Sequence, residues 1–140
     1  MKYFAAAALA ALLFVSPANA SSVTSACNGT QTMSEFVGSM IDVFAAEGIK
    51  IDPVTMVRPQ LDAFIKSLMV DIENNGYDPT GFEVQAAAWE TLVWAKLTGP
   101  QGQEAVGIAV FDKNGCLLES STWPIDKFFE TMKRAFGADA

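Results

Sequence analysis

The chain has 140 residues, with 16 acidic side chains against nine basic ones, a formal net charge of −7 and no histidine. Such acidity repels phosphate backbones and anionic lipid, which argues against nucleic acid and membrane surfaces as partners. The missing imidazole excludes Ser-His-Asp and Cys-His catalysis, His-ligated zinc or haem, and an imidazole pH switch.

At the N-terminus, Met1-Lys2 gives a positive start, Tyr3 to Val15 an unbroken apolar run, and Ser16-Pro17 a break. Ala18-Asn19-Ala20 then sets small residues at −3 and −1 of a cleavage point, the pattern of a secretory signal peptide. The run is too short to span a bilayer, which takes about 20 apolar residues. Cys27 follows Thr24-Ser25-Ala26, without the aliphatic residue a lipoprotein signal carries three positions upstream. The expectation is an exported, periplasmic or secreted protein cleaved after Ala20, with no membrane insertion. Loss of Lys2 takes the net charge from −7 to −8, and about 120 residues remain, enough for one core.

Cys27 and Cys116 are the only cysteines. In an exported chain an even count reads as a disulfide, and two cysteines allow one intramolecular pairing. It closes a loop of about 90 residues, for which the chain-entropy model gives roughly 4–5 kcal/mol. No C-x-x-C motif is present, and no histidine stands by to activate a thiol.

Residues 21–31 are small and polar, a flexible lead-in held at Cys27, in which Asn28-Gly29-Thr30 is an N-glycosylation triplet that matters only in a eukaryotic source. One domain is expected over 32–137. Thr32 and Glu35 form a capping box ahead of a helix over 33–47, whose stripe is Met33, Phe36, Val37, Met40, Ile41 and Phe44. Gly48 suits a left-handed cap. Asp52-Pro53 resembles a helix start, so 53–57 is read as a short helical turn, and Pro59 opens the main helix to about Asn74. Its buried stripe is Leu61, Phe64, Ile65, Leu68, Met69 and Ile72.

Residues 82–97 fit two patterns. Phe82, Ala86, Trp89, Val93 and Leu97 repeat as a helix face, whereas Trp89, Thr91, Val93, Ala95 and Leu97 alternate as a strand. The strand is preferred, because 104–111 is rich in Val and Ile, Asp112-Lys113-Asn114-Gly115 makes a hairpin turn, and 116–122 returns. Pro124 opens a last helix to Phe136, lined by Ile125, Phe128, Phe129, Met132 and Phe136 and capped by Gly137. The expected fold is α+β: two to three N-terminal helices, a three-stranded antiparallel meander and a C-terminal helix, with helices on one face of the sheet.

No calcium loop, phosphate-binding glycine loop or nucleophile elbow occurs, so neither a metal nor a cofactor is expected. Glu83 and Glu90 stand near Trp89 and Trp94, an acid–aromatic association seen in carbohydrate hydrolases, but solvated acids are the simpler reading. Trp89, Trp94 and Trp123 are the candidate binding surface. If all lay on strands, the odd spacing of Trp89 and Trp94 would point them to opposite sides of the sheet. The leading expectation is a non-enzymatic accessory or binding protein acting by protein–protein contact, with another protein or a second copy of itself. The alternatives are a binder of a small apolar ligand between helices and sheet, and a carboxylate-based hydrolase.

Overall fold

The computed structural model describes residues 27–137, so the expected signal peptide and its cleavage point lie outside the described residues. The first helix, α1, covers Met33–Ala46. The capping box forms as the sequence suggests: the Glu35 N–H donates to Thr32 Oγ1 (3.3 Å) and the Thr32 N–H to Glu35 Oε1 (2.9 Å). Gly48 ends it at φ 77°, a left-handed conformation that lets the Ile49 N–H turn back to the Phe44 carbonyl.

Residues 53–57, read from sequence as a helical turn, instead contain strand β1, Val54–Val57. Three of its four residues are β-branched, and its end abuts Arg58, which the following Pro59 disfavours from helical geometry. Helix α2 follows at Gln60–Asn74. The ambiguous stretch divides between both readings: Thr80–Ala86 is a short helix, α3, and Thr91–Thr98 is strand β2. Alanines support the helix, while Thr, Leu and Val past Trp89 support the strand. Strands β3, Glu104–Phe111, and β4, Leu117–Pro124, precede helix α4, Ile125–Phe136.

The sheet therefore has four strands rather than three, all antiparallel in the order β1-β2-β3-β4. Between β3 and β4 only Gly115 takes a positive φ, 77°. Asp112 Oδ1 shapes the rest of the turn by accepting from the N–H groups of Asn114 (2.8 Å) and Cys116 (3.0 Å).

Helices cover both faces, not one. Along β2 and β3 successive side chains point to opposite sides. Val93, Ala95, Leu97, Ala105, Ala109 and Phe111 meet Phe36, Met40 and Phe44 of α1. Leu92, Val106, Ile108 and Val110 meet Leu61, Phe64 and Leu68 of α2 and Phe128 of α4. A half-hydrophobic sheet could leave one face wet, but this one has apolar residues at both parities and needs two covers. Three stripe residues lie further out than the periodicity implies: Ile41 (39% exposed), Phe129 (41%) and Phe136 (36%).

Cys27 and Cys116 are bonded, with Cα atoms 5.4 Å apart and a separation of 89 in sequence. The staple holds the segment before α1 against the β3–β4 hairpin. There the Leu117 N–H donates to the Gln31 carbonyl (2.9 Å) and the Met33 N–H to the Gly115 carbonyl (2.9 Å). The second half of the expected lead-in is thus an ordered cover over the start of the β4 edge.

Opposite α1, helices α2 and α4 are joined by a polar clasp. Arg134 Nη1 lies 2.6 Å from Asp71 Oδ1, and the Thr131 hydroxyl donates to Asp71 Oδ2 at 3.1 Å. The Ser67 hydroxyl donates to the Thr131 carbonyl (2.9 Å), and Arg134 Nη1 also donates to the Ser67 carbonyl (3.2 Å). A carboxylate this buried persists because cation and hydroxyl satisfy its oxygens together.

Candidate functional site

The face of the sheet under α2 and α4 gathers all three tryptophans. Trp89 precedes β2 rather than lying on it, so the strand parity argument does not apply to it. It packs buried in the same layer as Trp94 and Trp123, both half-buried, and the expectation that Trp89 and Trp94 face opposite sides is overturned. Trp94 and Trp123 face one side because Trp94 is paired opposite Ile108, itself two positions along β3 from Val106, the partner of Trp123.

Phe128 sits between these two strand tryptophans. Its ring centroid lies 5.0 Å from Trp94 and 6.2 Å from Trp123, and Phe64 touches both Phe128 (5.7 Å) and Trp123 (6.3 Å). Phe129 extends the row past Trp94 at 5.7 Å. A second pair, Phe82 of α3 and Trp89, meets edge to face at 5.4 Å. Tilted and edge-on arrangements are those the ring quadrupoles favour.

This aromatic layer ends in two concavities. Beside β4 is a pit of about 100 Å³, lined by Phe64, Phe82, Trp89 and Trp123, by four aliphatic side chains, and by the exposed Glu119 and Ser121. Residues 119, 121 and 123 alternate along β4 and so share a face. Beside β1, at the other end, is a groove of about 240 Å³ that includes Val54, Gln60, Trp94, Met132 and Phe136. β1 is a sheet edge whose backbone, among the described residues, pairs with β2 alone.

Arg58 fixes the walls of the pit from behind. Its guanidinium donates to the carbonyls of Trp89 (2.7 Å) and Ala86 (3.2 Å) and pairs with Asp62. It thereby ties the turn between α3 and β2, itself closed by the Trp89 N–H on the Ala86 carbonyl (3.0 Å), to the start of α2. The Asp78 carboxyl, ahead of α3, is held below its ordinary pKa because the Thr80 hydroxyl and N–H both donate to it.

The two acids singled out from sequence do not converge on the tryptophans. Glu83 is exposed in the first turn of α3, on a separate open groove with Arg58, Asp62 and Lys66. Glu90 is exposed, and its N–H donates to the Phe111 carbonyl (2.8 Å). The described residues contain no cluster of acids and cysteines suited to a metal ion. No helix among them is long and apolar enough to cross a membrane.

Sequence reasoning missed Phe64, Phe82 and Glu119 as parts of one site. The signal available was the pattern Glu119-x-Ser121-x-Trp123, two polar residues where a strand covered by a helix would carry apolar ones. No protein-family model, curated protein or solved structure matches the chain.

Proposed function

We propose that the chain is a non-enzymatic binding protein acting by protein–protein contact, and that it takes an extended segment of a partner along the β1 edge. The observation that carries this reading is an unpaired edge strand beside an apolar groove. An edge strand presents a row of free N–H and C=O groups, and proteins cover such edges or use them. Here the β4 edge is covered at its start by residues 31–33, whereas β1 has no such cover among the described residues. Val54, Phe129 and Phe136 are each more than a third exposed at this end. Strand addition gives affinity through the main chain and specificity through alternate side chains seated in an adjacent groove. The Cys27–Cys116 disulfide supports work in an oxidising compartment, in keeping with an exported accessory protein of the cell envelope or extracellular space.

The test is site-specific photocross-linking in the native compartment, with the probe at Val54 or Phe136 and a control probe at Val84, which is 70% exposed on α3. The expected result is one partner captured from 54 and 136 but not from 84. With the probe moved to exposed Thr55, which lines the same groove, combining Val54→Lys with Phe136→Glu should reduce capture at least about tenfold. Equal capture from 84, or capture indifferent to the double substitution, overturns the proposal. A second reading, binding of a small ligand between helices and sheet, has its own observation in the aromatic pit beside β4.

A further inference from the structure

We infer that the pit beside β4 is a binding site for a small organic cation of the methylated-ammonium class. This rests on the small-ligand reading and is independent of the contact at β1. Four aromatic side chains from four parts of the chain line one concavity together with four aliphatic ones: Phe64 of α2, Phe82 of α3, Trp89 of the following loop and Trp123 of β4. The faces of such rings carry negative charge, so rings gathered around a space attract a cation whose charge is spread over methyl groups. The same walls suit the methyl groups by burying apolar surface.

Glu119 supplies the second element. It is an exposed part of the lining, on the strand face shared with Ser121 and Trp123, and takes part in no ion pair among the described residues. A carboxylate at the rim of an aromatic pit favours a cation over a neutral guest of equal shape. The net charge of the chain, −7, acts in the same direction at longer range. At about 100 Å³ the pit suits one compact group rather than a fused ring system. An apolar cavity of about 150 Å³ takes benzene. Glu119 and Ser121 are exposed, so the remainder of a longer molecule can extend past them into solvent.

The experiment titrates the oxidised protein with choline and, separately, with 3,3-dimethylbutan-1-ol, its neutral isostere, following the indole N–H signals of the three tryptophans by NMR. Choline should move the Trp89 and Trp123 signals and bind about tenfold tighter than the isostere. Glu119→Gln, at an exposed position, should weaken choline several-fold, leave the isostere unaffected and keep the melting temperature. Equal binding of both compounds overturns the cationic assignment while leaving a small-ligand site. No shift with either compound overturns the site itself.

Discussion

The two faces of the sheet are covered in different ways. On one, a single helix, α1, lies over short side chains: Ala95, Ala105, Gly107 and Ala109 form much of the surface beneath it. On the other, α2 and α4 stand on Leu92, Ile108, Val110 and two tryptophans. Short side chains let a helix approach closely, and the gap left beneath α1 is about 40 Å³. Bulky rings set at angles to one another fill space less evenly, and the aromatic face retains the pit of about 100 Å³. The fastening differs too. The α1 side is held by a covalent staple at the hairpin, the other by the Asp71–Arg134 clasp between helices.

Each fastening can be undone separately. The largest effect should come from replacing Cys27 and Cys116 together with alanine. Loss of a loop closure of this length removes up to about 4–5 kcal/mol and should lower the melting temperature by as much as about 15–20 °C. Amide hydrogen exchange should then rise first in α1, with α2 and α4 still protected. Equal loss of protection on both faces would show that the staple serves the whole domain and not the α1 side.

Arg134→Met should cost about 2–3 kcal/mol by chemical denaturation, below the 3–5 typical of a fully buried pair. Arg134 is one-third exposed, and Lys127 Nζ remains 3.7 Å from Asp71 Oδ2. Adding Asp71→Leu should restore much of the loss, because no buried carboxylate is then left without its partner. If the double variant is no better than the single, the clasp is not what holds α2 to α4.

The smallest effect concerns α3, which carries Phe82 of the pit. Hydrogen bonds from Thr80 keep the folded Asp78 carboxyl below its ordinary pKa of 3.8, so its contribution is present above that value and fades as pH falls through the lower folded one. Protection of the α3 amides should therefore decline as pH falls below 3.8 in the natural protein and show less of that dependence in Asp78→Asn. Identical profiles would remove Asp78 from the account of α3.

Local signals in the sequence carried three of the four described helices well, but not α3, part of which reads with the strand that follows. The Thr32–Glu35 box, Gly48, the stripe of α2 and the last helix all follow from short-range chemistry that operates wherever the chain goes. β1 was hidden because Asp52-Pro53 has the chemistry of a helix start, and four residues are too few to display an alternation. What makes Val54–Val57 a strand is the neighbouring edge of β2, a partner about 40 positions away. The two-sided sheet was likewise illegible from stripes alone, since a stripe records that a helix is half-buried but not which face it covers. The pit joins residues from 64 to 123 in sequence. Trp89 and Trp123 could be singled out as aromatics, but Phe64 reads as plain core until α2 is placed beside β4.

The staple also has a bearing on the order of assembly. α1 is the first described element to be synthesised, yet what pins it is a turn between the third and fourth strands. Until that hairpin exists, Cys27 has no thiol in its own chain to bond with, correct or incorrect, because Cys116 is the only other one. The first described helix can therefore be covalently secured only after nearly all of the sheet has been synthesised.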